Sequence, residues 1–106
     1  MLKKSKQKEI LEKLNDVGVG RDHNLVETFR EFQELLQASE PEMTESESSR
    51  TVEKDQALYD AVSNYATVRG GDSPNPQWVS DASEALDKEL EEMRMFIEHS
   101  IETADG

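Results

Sequence analysis

Apolar residues recur at spacings of three and four through residues 76–104, and this pattern predicts a single long amphipathic helix. The pattern repeats every eleven residues, or about 3.67 residues per turn, which keeps the apolar side chains on one side of a nearly straight helix. At ~1.5 Å per residue the helix would be roughly 43 Å long. So long an apolar stripe needs a partner along its whole length, either from this chain or from another copy. Its members are Val79, Ala82, Leu86, Leu90, Met93, Ile97, Ile101 and Ala104.

The chain has a formal net charge of −12, and the charge is unevenly distributed. Residues 1–13 carry five lysines against Glu9 and Glu12, so this start is basic while the remainder is strongly acidic. An acidic body repels phosphates and anionic lipids, which argues against direct nucleic-acid binding and against membrane binding. The basic start is either simply solvated or contacts the acidic face of a helix in the same or a neighbouring chain.

Length and composition are consistent with one small cytoplasmic domain. Leu, Ile, Val and Phe supply 22 of the 106 residues, just above the level of about 20% below which strongly charged chains tend to be disordered. The chain has no cysteine, which excludes disulfides and thiolate chemistry. No apolar run approaches the ~20 residues of a membrane span, and the N-terminal lysines precede no signal-peptide core. Export by a specialised route without a signal peptide stays open.

Three further helices are predicted before the C-terminal one. The first covers about residues 4–17. The second covers about residues 25–38, with Asn24 as its N-cap and Glu27 at capping-box spacing. The third covers about residues 51–69 and ends at a Gly-Gly pair. Residues 72–76 then form a rigid corner in which Asn75 caps the last helix and Pro76 occupies its first position. The predicted fold class is all-α: a small bundle of three to four helices, with the long C-terminal helix in an antiparallel hairpin.

This pattern divides the chain into three segments. Residues 1–38 form a helical pair with a basic start, and residues 51–106 form a helical hairpin with the Pro-rich corner at 72–76. Residues 39–50 are rich in Ser and Glu, and Met43 is their one large apolar side chain. Because such a segment buries too little surface to offset its ordering entropy, we expect a flexible acidic linker there.

The sequence shows no pattern typical of a catalytic, cofactor-binding or metal site. Neither His23 nor His99 has a second ligand at the spacing that zinc hydrolases use. Small helical phosphotransfer domains carry a cation three residues after their histidine, whereas Glu102 follows His99. Ser73 follows an aspartate, as the attachment serine of acyl carrier proteins does, but Pro74 stands where that motif has leucine. We therefore expect no enzyme activity, no cofactor and no metal.

The predicted function is that of a non-catalytic, acidic helical protein–protein interaction module, an adaptor or assembly accessory acting through the apolar stripe of the C-terminal helix. The partner would be another protein, a second copy of the chain in a homo-oligomer, or both. Methionine and aromatic side chains are typical of adaptable contact surfaces. The predicted partner-binding residues are Trp78, Leu86, Leu90, Met93, Met95, Phe96, Ile97 and Ile101.

Two other functions are consistent with the same sequence. A small acidic inhibitor, antitoxin-like or immunity-like or a mimic of nucleic-acid charge, could occupy a basic cleft of its partner and would associate in a fast, salt-sensitive way. An accessory component of a phage or secretion assembly also fits the size and helicity, although that idea depends on analogy with such proteins.

Overall fold

In the part of the chain that the structure describes, four helices form two antiparallel hairpins that pack against each other. The computed structural model describes residues 1–104, so the last two residues of the predicted 51–106 segment lie outside the described part. The helices are α1 (Lys4–Val19), α2 (Leu25–Ser39), α3 (Glu45–Arg69) and α4 (Pro76–His99), with a short 3-10 helix at Glu40–Glu42. Strands β1 (Leu2–Lys3) and β2 (Thr103–Ala104) pair in parallel. The predicted all-α bundle, with α4 in an antiparallel hairpin, is confirmed.

Each helix packs against two others: α1 packs against α2 and α4, and α3 packs against α4 and α2. Between α2 and α3, the rings of Phe29 and Tyr59 lie 6.3 Å apart. Between α1 and α4, the Gln7 side-chain amide donates to the Ile97 carbonyl at 2.9 Å. One continuous core fills the interior. Its buried apolar residues are Leu2, Ile10, Leu14, Val17, Leu25, Phe29, Phe32, Leu36, Leu58, Ala61, Val62, Tyr65, Ala82, Leu86, Met93, Phe96, Ile97 and Ile101.

Helix α4 is shorter than the sequence pattern predicts, because it ends at His99 rather than continuing to residue 104. The chain beyond it makes tertiary hydrogen bonds instead of helical ones. The Glu102 N–H donates to the Glu47 carboxylate at 2.6 Å, and Thr103 and Ala104 pair with β1. Ile101 is still buried, so the apolar periodicity correctly predicted its burial but not its backbone conformation.

The prediction of a flexible linker over residues 39–50 was wrong about the structure of this segment. Its second half is the first turn and a half of α3, which begins at Glu45. Thr44 caps the helix in a complete capping box: its side chain accepts from the Glu47 N–H, and the Glu47 carboxylate accepts from the Thr44 N–H. Met43 packs against the core, and Ser39 is fully buried. A good cap and a few buried positions therefore suffice to order a segment of low average hydrophobicity.

The two other predicted N-caps have different outcomes. Asn75 caps α4, since its side-chain oxygen accepts from the N–H groups of Gln77 and Trp78. Asn24 precedes α2, but its side chain makes no capping hydrogen bond. The five-residue loop before α2 is held instead by backbone hydrogen bonds. In one of them the Asn24 N–H donates to the Gly20 carbonyl at 2.9 Å.

The α3–α4 hairpin is longer than the α1–α2 hairpin and projects past it. Helices α3 and α4 contain 25 and 24 residues, whereas α1 and α2 contain 16 and 15. The difference of nine residues corresponds to roughly 14 Å of helix. The molecule measures 49 × 22 × 17 Å, with a radius of gyration of 14.5 Å, above the ~13 Å of a compact chain of this length. We call the projecting end, residues 67–82, the hairpin tip.

Candidate interaction surface

Most of the predicted partner-binding residues belong to the chain's own core. Leu86, Met93, Phe96, Ile97 and Ile101 are all buried, because α1 and α3 cover the apolar stripe of α4 from both sides. In the folded monomer these five side chains are unavailable to a partner. The idea that the whole stripe is an open docking surface is therefore corrected: the stripe is mainly the α4 contribution to the core.

The other three predicted residues keep some exposed surface but do not lie together. Trp78 is 62% exposed and Met95 is 46% exposed. They are 17 residues apart on α4, or roughly 25 Å along the helix. Leu90 is partly buried and lines a shallow groove between α1 and α4, together with Leu11 and Val19. Of these three positions, Trp78 exposes the largest apolar side chain.

The local sequence holds the backbone of Trp78 in place at the hairpin tip. Pro76 occupies the first turn of α4, where its missing N–H costs no hydrogen bond. The Asn75 side chain accepts from Gln77 N–H at 2.9 Å and from Trp78 N–H at 3.4 Å. The Gln77 amide also donates to Asp81 at 2.9 Å. The indole is therefore presented by a well-capped helix end rather than by a free loop.

Shallow grooves border the hairpin tip on two sides. On one side the indole lies beside Val68 of α3 and Ala82 of α4, with Asn64 and Asp81 at the edge. On the other side a groove runs between the two arms of the hairpin. Its lining residues are Tyr65, Arg69, Pro74, Pro76, Val79, Ser80, Ser83 and Glu84. Both grooves are open to solvent, a shape that suits a protein surface better than an enclosed small-molecule site.

Polar contacts from the α1–α2 loop fix the base of the hairpin tip on the α3 side. The Tyr65 hydroxyl donates to the Asp22 carboxylate at 2.9 Å, and the Arg69 guanidinium donates to the same carboxylate oxygen. Arg69 also stands 5.7 Å from the centre of the Tyr65 ring. These contacts hold the end of α3 against the loop.

Arg21 makes the equivalent connection to α4. Its guanidinium donates to the Ser83 hydroxyl at 2.9 Å, to the Ser83 carbonyl at 3.4 Å, and to Asp87. It also donates to the Gly18 carbonyl at 2.9 Å, which ties the loop to the end of α1. Both arms of the hairpin are therefore anchored to the α1–α2 loop at this level, and the tip extends beyond it.

The solvent-facing side of α4 is acidic but contains internal ion pairs. Arg94 pairs with Glu91 and with Glu98, the latter at 2.9 Å. The hydrogen bond from Arg94 lowers the pKa of Glu91, and the two carboxylates raise the pKa of Arg94. Such exposed pairs contribute little to stability. Met95 lies beside this cluster, isolated among charged groups.

A second exposed apolar set, absent from the sequence prediction, lies along α2 and α3. Val26, Val52 and Tyr59 each expose about half of their surface. Between them, the Gln33 amide donates to both oxygens of Asp55 at 3.2–3.3 Å. The 3- and 4-residue spacing of Val52, Asp55 and Tyr59 is a signal that could have found this set.

The described part of the chain holds neither a metal-binding cluster nor a membrane-spanning helix. Within residues 1–104 no group of three His, Asp or Glu side chains is placed to hold a metal ion. None of the helices in this range combines the length and apolar character needed to cross a bilayer.

Comparison with models of known protein families, with curated proteins and with solved structures found no match to this chain.

Proposed function

We propose that the protein is a non-catalytic, acidic helical interaction module that binds another protein through the hairpin tip. The observation that carries the proposal is Trp78, a large apolar side chain that is 62% exposed on a capped, projecting helix end. Tryptophan is among the residues most enriched at the energetic centres of protein interfaces. The role as adaptor or assembly accessory, the absence of enzyme activity and the cytoplasmic location expected from the sequence belong to the same proposal.

The shape of the tip supports this use of Trp78. A partner that covered the indole would also reach Val68 on one side and Val79 on the other, both of which are only partly buried now. The helix cap and the anchored base hold these groups in place before binding. Preorganisation of this kind lowers the entropy that a complex has to lose.

Replacing Trp78 with alanine should reduce retention of the physiological partner at least tenfold, because truncating a central aromatic residue typically costs more than 1.4 kcal/mol of binding. The measurement is capture of partners by immobilised wild-type and variant protein from an extract of the native source, quantified by mass spectrometry. The control is Met95→Ala, which removes an exposed apolar side chain from the same helix and should leave retention unchanged.

Sedimentation velocity of the same variants tests whether the partner is a second copy. A homo-oligomer through the tip predicts that the wild-type protein self-associates at tens of micromolar and that Trp78→Ala does not. Equal recovery of every captured protein by the wild type and by Trp78→Ala, with equal sedimentation, would contradict the proposal.

The second candidate is an acidic inhibitor that occupies a basic cleft. It is favoured by exposed carboxylates of α4, such as Asp81 and Glu84, which form no ion pair with a cation of the described residues. Its partner would be released by moderate salt, because screening weakens contacts between exposed charges. A partner held by Trp78 should resist the same salt, so elution in about 0.5 M NaCl separates the two candidates.

A further inference from the structure

A strip of exposed apolar side chains runs along the junction of α2 and α3. Val52 and Tyr59 lie two turns apart on α3, and Tyr59 reaches across to Phe29 of α2. Val26 extends the strip toward the end of α3, where it borders the same groove as Ala66. From residue 52 to residue 66 the strip covers roughly 21 Å, or four helical turns. We call Val26, Val52, Asp55 and Tyr59 the α2–α3 strip.

Asp55 is the unusual member of this strip. Its side chain is partly buried, and its hydrogen-bond partner is the neutral amide of Gln33. Within residues 1–104, no lysine or arginine forms an ion pair with it, although Glu9, Glu31 and Asp87, among other carboxylates in this range, do have such a partner. Burial without a compensating cation raises the pKa of Asp55, so its charge opposes folding.

We propose that the α2–α3 strip binds a basic amphipathic helix of a partner protein, whose cationic side chain pairs with Asp55 and whose apolar face covers Val52 and Tyr59. The apolar side chains on both sides of Asp55 match the alternation of apolar and basic residues on such a helix. The net charge of −12 favours a cationic partner over an anionic one. A helix laid in a groove is a common mode of peptide recognition. This inference does not depend on Trp78.

The desolvated charge of Asp55 lowers the stability of the free protein, and this gives a first prediction. Asp55→Asn should make the free protein more stable at pH 7, since asparagine keeps the shape without the desolvated charge. Because the pKa of Asp55 is raised in the folded state, the carboxyl is protonated and imposes no such cost below its ordinary pKa of 3.8. The cost to the stability of the wild type appears as the pH rises through the folded-state pKa. The gain from Asp55→Asn should therefore be present at pH 7 and absent near pH 3, as measured by urea unfolding.

Binding is tested with a synthetic probe, a helical peptide of about 18 residues made of leucine and lysine on opposite faces. Its titration into ¹⁵N-labelled protein should shift the amide resonances of the α2–α3 strip. Asp55→Asn should weaken binding about tenfold, because it removes a charge-assisted contact from a partly desolvated site. The opposite effects on stability and binding distinguish a binding residue from a merely structural one.

Three controls make the titration decisive. Asp60→Asn changes an exposed carboxylate on the same helix, and like Asp55 this carboxylate accepts from a glutamine side chain, that of Gln56, at 3.2 Å. The change should alter the affinity for the peptide less than about twofold. A peptide of the same composition with scrambled order should bind much more weakly. Trp78→Ala should bind the probe normally. The inference is overturned by no binding at millimolar peptide, by shifts confined to α4 or the hairpin tip, by equal binding of the scrambled peptide, or by equal effects of the two Asp→Asn changes.

Discussion

Replacing Leu86 with alanine is expected to lower the free energy of unfolding by about 2–5 kcal/mol. Leu86 is 0% exposed, and its truncation removes buried methyl groups and leaves a cavity between helices that are already anchored at both ends. A domain of this size is typically stable by about 5–15 kcal/mol. The loss would therefore be a large part of the total, and it should appear as a lower midpoint in urea with little change in slope.

Met95→Ala is the matched control for Leu86→Ala. Both changes remove a long apolar side chain from the same helix, but Met95 is exposed on the solvent side. Its effect should stay within about 0.5 kcal/mol. If the two variants were equally stable, Leu86 would not be covered by the chain's own helices in solution. The prediction that the apolar stripe of α4 is an open docking surface would then be supported again.

Replacing Glu47 with alanine should have the next largest effect, a loss of about 1–3 kcal/mol. The Glu47 side chain is only 7% exposed. It accepts from Thr44 N–H at 2.8 Å and from Glu102 N–H at 2.6 Å. Truncation leaves both donors without this partner and separates the C-terminal segment from α3. The control is Glu45→Ala, which removes an exposed charge from the same helical turn and reports only the contribution of the helix dipole.

The effect of Glu47 should depend on pH in a definite direction. Burial alone would raise the pKa of this carboxyl, but the hydrogen bonds from Glu102 and Thr44 outweigh burial and lower it. A lowered folded-state pKa contributes stability that is present above the ordinary value of 4.5 and is lost as the pH falls through the folded-state pKa. The difference between wild type and Glu47→Ala should be constant from pH 7 to pH 5 and shrink in more acidic solution. A difference independent of pH would mean that the ionised carboxylate is not what ties the two segments together.

The sequence predicted the helical core well because burial leaves a periodic trace. The spacing of Leu86, Met93 and Ile97 indicated one apolar side of α4, and that side is the one that α1 and α3 cover. The same periodicity could not indicate where α4 ends. The end depends on hydrogen bonds to β1 and to Glu47, which are distant in sequence and become visible only once the helices are packed.

Composition misled the prediction for residues 39–50, because an average over twelve residues hides a local signal. Thr44 and Glu47 have the spacing of a capping box, and this pair orders the start of α3. The opposite error occurred at Asn24, where the same spacing to Glu27 was present but the cap did not form. Short motifs therefore indicate what a chain can form, and the surrounding packing decides which of them does.

The candidate surface was the least predictable part of the molecule. From the sequence alone, Trp78 and Phe96 look equally apolar, and both lie at the flank of the α4 stripe. Phe96 is buried and has Arg50 of α3 5.4 Å from its ring, whereas Trp78 extends past the end of the shorter hairpin and stays exposed. That difference comes from the relative lengths of two hairpins, a tertiary property without a local sequence signature.

The parallel pairing of Leu2 with Thr103 has a consequence for larger assemblies. It places residues 2–3 beside residues 103–104, next to the C-terminal end of α4, whereas Trp78 lies in the first turn of that helix. A fluorescent label attached at residue 1 or at residue 104 would therefore lie far from the indole of Trp78. Such labels would report on the partner proposed for Trp78 without occupying the surface that it would contact.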